Sequence, residues 1–347
     1  MKNIEIFLAN NKRIAVVDYL KGFSIFTIAL MHLICMMSGI PEVVGKLSAI
    51  GGTGVHVFFL CSGFGLYLSY LNKKTTYLEF IKKRFMKIYI PYIIIVFVSF
   101  FVPWMYLGDD KIVALLSHIF LYKMFIPKYE SSFGFQFWFI STIIQFYLVF
   151  IPMCKLKHRL KKNSIFIALF MIVSIGWWIL CYILGVTESR VWNSFLLQYI
   201  WEFSIGMVLA DLLYNGKTFK INSIILLILS ILGIGVQALM AMKAETIKVF
   251  NDIPALVGYT SLALLLMFIP AIKRFAEWLS KISYEYYLIH ILVFVSVFYL
   301  FRADSLVIQA ILGIVGITIA IIIAYYYHIL VYRVTNSLGE ILDVRHC

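Results

Sequence analysis

Apolar stretches of about twenty residues recur along the chain, separated by short polar connections. Ten of them reach spanning length: roughly 19–39, 50–71, 88–107, 134–153, 164–184, 192–213, 221–241, 252–271, 280–301 and 305–331. Each is long enough to cross a ~30 Å hydrocarbon core as a helix. The stretch 111–125 is also apolar, but it is short and carries Lys111, His118 and Lys123, which reads as a surface or re-entrant helix. The pattern predicts an all-α polytopic membrane helix bundle of about ten transmembrane helices, a single integral membrane domain over residues 1–347, with membrane lipids around it.

Composition excludes the alternatives. Of 347 residues, 63% are hydrophobic and 14% charged, which no soluble domain of this length shows. Met1 to Val17 contains no small-residue cleavage site, so no removable signal peptide is expected. The cysteines at 35, 61, 154, 181 and 347 have no paired spacing. Neither a disulfide framework nor a zinc site is suggested, and no metal is expected. Cys347, being the last residue, does not make a prenylation box.

The net charge of +13 raises the question of an anionic partner. Threading ten spans through a membrane puts most of the 30 lysines and arginines on the side that holds both termini. The positive-inside rule then places both termini in the cytoplasm and accounts for the charge without nucleic acid. The connections are short, so any chemistry belongs within or at the edges of the bundle.

Several polar residues interrupt the apolar spans. His32 lies mid-span, eleven residues beyond Lys21, close to three helical turns and roughly 16 Å along one face. At similar estimated depth fall Ser62, Gln145, Glu202 and His290. An ionisable group at that depth costs on the order of a few kcal/mol and is a functional candidate by default. Ser283, Tyr287 and His290 follow i, i+4, i+7 and share a face. Ser62 and Gln145 also suit plain interhelical hydrogen bonding. Glu202 also suits a bundle-holding pair with a histidine or lysine. His56 is expected near the outer surface, where a polar residue is cheap. His118, His158, His328 and His346 are expected in loops or near interfaces, and Tyr325 to Tyr327 in an interfacial aromatic belt. Among the basic residues at 82–87, Arg84 and Lys87 are i, i+3 and share a face. That run serves as a topology signal or as a phosphate clamp.

These residues resemble acyltransferase family 3, the integral membrane group that includes bacterial O-antigen and peptidoglycan O-acetyltransferases. Asp18-Tyr-Leu-Lys21-Gly22 with His32 resembles its D-x-x-R-G and R-x10-H pattern, with Lys in place of Arg. The run from Gly54 through Phe58 and Phe59 to Ser62-Gly63-Phe64 resembles its F-F-x-x-S-G-F motif. Arg84-Phe-Met-Lys87 before Pro91 resembles its R-x-x-R segment. Trp138 with Gln145-Phe-Tyr147 resembles its W…Q-F-Y-L span, although Ile143 and Ile144 stand where many relatives carry acidic residues. Phe203 to Met207 and Ile282 to His290 resemble later family segments.

The resemblance implies transfer of an acyl group, most often acetyl, from cytoplasmic acyl-CoA to a hydroxyl of an extracytoplasmic glycan or glycolipid. It implies a bacterial plasma membrane and association with polysaccharide-synthesis machinery. Lys21, Arg84 and Lys87 would bind the CoA polyanion. His32 would act as general base or acyl carrier, Glu202 would fix its tautomer, and His290 lies at the same depth. Ser62, Tyr287 or backbone N–H groups near Gly63 would stabilise the oxyanion. The competing class is a transporter or flippase for a polysaccharide or lipid-linked sugar, for which the two halves show no inverted repeat.

Overall fold

A computed structural model describes residues 3–5, 15–243 and 249–343; His346 and Cys347 lie outside the described residues. The helices are α1 (Ala15–Met36), α2 (Glu42–Ala49), α3 (Gly54–Asn72), α4 (Tyr77–Phe101), α5 (Lys111–Ile119), α6 (Trp138–Leu160) and α7 (Asn163–Ile183). They continue as α8 (Arg190–Asn193), α9 (Leu196–Tyr214), α10 (Ser223–Lys243), α11 (Asp252–Leu266), α12 (Pro270–Leu279), α13 (Ser283–Leu300) and α14 (Leu306–Asp343). Two short strands, β1 (Asn3–Glu5) and β2 (Lys220–Asn222), pair antiparallel. Among the described residues nine helical stretches are long and apolar enough to cross a membrane, and α11 is a shorter apolar helix. The protein is an all-α multi-pass membrane protein.

Several boundaries differ from the hydropathy pattern, and two have a clear local cause. The third span begins at Tyr77 rather than at 88, because Thr76 and Glu79 form a capping box. Glu79 N donates to Thr76 Oγ1 at 3.4 Å and Thr76 N to a Glu79 carboxylate oxygen at 2.9 Å, satisfying two end donors. Arg84 and Lys87 therefore sit on the helix itself. α11 ends at Leu266, and Pro270 opens α12 at a position where its missing N–H costs nothing.

The chain forms two compact units. The first comprises residues 1–31, 46–75 and 142–281. Here α3 and α9 pack through small residues. A Cβ on Gly63 would collide with the Phe203 carbonyl, and a Cβ on Gly206 with the Leu60 carbonyl, so each helix offers a glycine where the other's backbone arrives. In a lipid environment, close backbone approach of this kind supplies the packing that hydrophobicity alone does not. Beside it, Phe59 stacks on Tyr199 at 4.6 Å and Phe146 on Phe203 at 4.5 Å.

The second unit comprises residues 32–45, 76–141 and 282–347. Tyr284 donates to the Ile88 carbonyl at 2.6 Å and Tyr327 to the Pro91 carbonyl at 2.6 Å, tying α13 and α14 to α4. Between α4 and α6 the chain folds into short turns held by polar groups. Asp110 accepts from Tyr106 and Tyr129 and pairs with Lys128 at 2.5 Å. The Lys128 ammonium first, then the two phenols, hold its carboxyl well below the usual range.

His118 and Lys123, in the stretch expected to form a surface or re-entrant helix, are both fully buried within the protein. His118 lies between Tyr92 Oη at 2.6 Å and Ser132 Oγ at 2.9 Å. Burial, and then the neighbouring Lys123, push its pKa well below 6.5. Lys123 donates weakly to the Gly134 carbonyl at 3.4 Å and lies 5.7 Å over the Phe137 ring. Burial lowers its pKa to about 7.

Candidate functional site

His32 occupies the last turns of α1, an unbroken helix, and His290 lies on α13, 258 residues away in sequence. Both belong to the second unit. Their rings stack at 5.2 Å with 10° between planes, and His32 Nδ1 is 2.9 Å from His290 Nε2. His290 is fully buried, while His32 keeps partial exposure.

The hydrogen-bond pattern sets the tautomers. His290 Nδ1 lies 3.0 Å from the Tyr286 carbonyl, which only accepts, so Nδ1 carries the hydrogen. Its Nε2 is then a lone pair, which accepts from His32 Nδ1. A neutral imidazole has one N–H, so the proton-accepting nitrogen of His32 is Nε2. A backbone carbonyl thus orients one imidazole, and that imidazole orients the other.

The chain entering α6 closes one side of this pair. Phe133 and Gly134 both have positive φ (51° and 143°), and the glycine conformation is one a side chain rarely adopts. The turn presents Phe135 edge-on to His32 at 4.9 Å. It is anchored by Tyr287 Oη donating to the Gln136 carbonyl at 2.6 Å and by Gln136 Nε2 on the Leu288 carbonyl at 3.4 Å. The single hydroxyl hydrogen of Tyr287 is therefore committed. Tyr287 positions the turn and is not available as the oxyanion donor expected from sequence.

Arg84 and Lys87 share a face of α4 in the same unit, with the Arg84 guanidinium 5.6 Å over the Phe80 ring. Lys21, Ser62, Gln145 and Glu202 belong to the first unit. Lys21 and Ser62 are half-buried on α1 and α3. Gln145 Oε1 accepts from the Leu196 backbone N–H at 3.1 Å, which satisfies a donor at the start of α9.

Glu202 is not the orienter of His32. Its Oε1 lies 2.6 Å from His56 Nδ1, and His56 Nε2 faces Asp252 Oδ1 at 3.9 Å. Sequence reasoning undervalued His56 because depth was counted along α3 alone. Asp252 had no signal, since it opens the short helix α11. Cross-helix pairing of this kind leaves no trace in the spacing of one span.

The second unit thus presents an oriented imidazole pair within a helical membrane scaffold. The family model described as an acyltransferase domain matches residues 14–327, nearly the whole chain. The protein is a membrane acyltransferase, and the chain belongs to acyltransferase family 3. No curated protein and no solved structure matches it significantly.

Proposed function

We propose that the protein transfers an acyl group, most simply acetyl, from cytoplasmic acyl-CoA to a hydroxyl of an extracytoplasmic glycan or glycolipid in a bacterial plasma membrane, with both termini cytoplasmic. The observation that carries this reading is the relay from the Tyr286 carbonyl through His290 to His32. It leaves His32 Nε2 as the base, and it keeps an acceptor on Nδ1 for the imidazolium that forms.

In the step proposed, Nε2 takes the acceptor hydroxyl proton as the oxygen attacks the thioester carbonyl. The new C–O bond forms, the C–S bond breaks, and the imidazolium returns the proton to the departing CoA thiolate. His290 does not touch the reacting atoms; it is a positioning residue. On one face of α4 in the second unit, Arg84 and Lys87 provide positive charge for the CoA phosphates, with Arg84 the one able to grip a phosphate bidentately. Polysaccharide-synthesis enzymes fit as partners that supply the acceptor.

Labelled acetyl transfer and CoA release in inside-out vesicles test the reading, with native chain compared against His32→Ala. A loss of about 10²-fold or more in the variant, at unchanged insertion, is expected for removal of a general base. Transfer that persists in His32→Ala would remove His32 from the mechanism. Absence of acyl consumption by the native chain with several acyl-CoA donors would favour the transporter class.

A further inference from the structure

Outside the His32–His290 pair, one cluster of chemistry-bearing side chains lies within the first unit. His56 on α3, Glu202 on α9 and Asp252 at the start of α11 converge so that one donor atom from each lies within 4.8 Å of the others. Glu202 is 0% exposed, Asp252 6% and the His56 side chain 15%. We propose that these three residues bind one divalent transition-metal cation of the zinc class. The proposal stands apart from the acyl-transfer reading.

Charge is the first argument. Ionised together, two carboxylates in a nearly dry site would carry two negative charges, of which one imidazolium cancels only one. A divalent cation bound by neutral His56 and both carboxylates brings the site to neutrality, with no buried charge left over. Donor chemistry is the second. One imidazole nitrogen and two carboxylate oxygens form a set that zinc-like ions take, and a fourth position stays open.

The third argument is an orphaned atom. Glu202 Oε2 is buried and, among the described residues, has no hydrogen-bond partner. A carboxylate oxygen in that condition is costly unless something binds it. The fourth is the outer layer. Gln198 Nε2 donates to Asp252 Oδ2 at 2.7 Å and to the Val249 carbonyl at 3.2 Å, which holds the carboxylate in place as outer-layer groups do around metal ligands. Ligand atoms around a four-coordinate ion with bonds of about 2.0–2.2 Å lie roughly 3.3–3.5 Å apart. His56 faces Glu202 with Nδ1 at 2.6 Å and Asp252 with Nε2 at 3.9 Å. One ion takes a single imidazole nitrogen, so binding requires the carboxylate facing the other nitrogen to move in from within the 4.8 Å that separates the donor atoms.

The cysteine spacing hid such a site because no cysteine takes part and the three ligands come from three separate helices. The test uses the untagged full chain in detergent, stripped with EDTA and then equilibrated with Zn²⁺ or Co²⁺. Bound metal is counted by mass spectrometry, and the visible bands of Co²⁺ report its coordination. About one ion per chain is expected, with low-symmetry Co²⁺ bands and a higher unfolding temperature with metal. Glu202→Gln and Asp252→Asn should abolish uptake, Gln198→Ala should weaken it about 10–100-fold, and His158→Ala, on an exposed position, should leave it unchanged. A folded, monodisperse native chain that takes up no ion and shows no Co²⁺ bands overturns the proposal, whatever the variants do. So does uptake that survives in a folded Glu202→Gln, Asp252→Asn double variant.

Discussion

His290→Phe isolates the relay. The ring is kept in shape and packing against Phe294, 5.7 Å away, but the acceptor for His32 Nδ1 is gone. In the resting state this removes one neutral hydrogen bond, about 0.5–1.5 kcal/mol. As proton transfer turns His32 into an imidazolium, the same bond becomes charge-assisted, about 1.5–3 kcal/mol. The difference between the two states, on the order of 1–2 kcal/mol, falls on the transition state. At about 1.4 kcal/mol per tenfold, kcat drops roughly 5–30-fold, and further if Nδ1 of His32 becomes the basic nitrogen. The KM for acetyl-CoA should move less than about threefold, because CoA binding is assigned elsewhere. His290→Gln restores an acceptor oxygen and should recover most of kcat. The assay is initial-rate CoA release in sealed vesicles with insertion levels matched. A Phe variant with kcat within twofold of native, or a Gln variant no better than Phe, refutes the relay.

Three further outcomes follow from other parts of the molecule. Lys123→Met should raise the unfolding temperature at pH 7 or below, because the folded state there pays on the order of a few kcal/mol to bury an ammonium whose pKa is lowered from 10.5 to about 7. The unfolded chain binds the extra proton between those values, so native stability rises with pH across pH 7–10.5. The gain from Met should shrink over that window; a pH-independent gain in thermal scans contradicts the burial. Gly63→Val drives a side chain into the Phe203 carbonyl and should cost about 1–3 kcal/mol or more, read as lost monodispersity or a lower unfolding temperature, whereas Gly65→Ala, with open space around it, should be mild. Arg84→Ala and Lys87→Ala should raise the KM for acetyl-CoA with little change in kcat, and salt should narrow the difference from native; an unchanged KM in the double variant removes this face of α4 from donor binding.

The spans were legible in the sequence because a membrane imposes length and apolarity on each helix independently. So was the shared face of Arg84 and Lys87, which depends only on helical periodicity. His32 stood out because a lone ionisable group in an apolar run is expensive wherever its partner lies. The start of α4 at Tyr77 was also written locally, in the Thr76–Glu79 capping box, although hydropathy masked it beneath the charges at 82–87.

What only the tertiary structure decided is who faces whom. His32 meets His290, Glu202 meets His56 rather than His32, and Tyr287 turns its hydroxyl to the Gln136 carbonyl. Lys123 and His118, polar by type and near a span end by position, are buried by the turns that precede α6. The physical reason is the solvent. In water an amphipathic stripe shows which face of a helix turns inward. In a bilayer the lipid-facing and helix-facing sides are equally apolar, so a span's sequence sets that it crosses but leaves its rotation and partners to close packing and to hydrogen bonds made between helices.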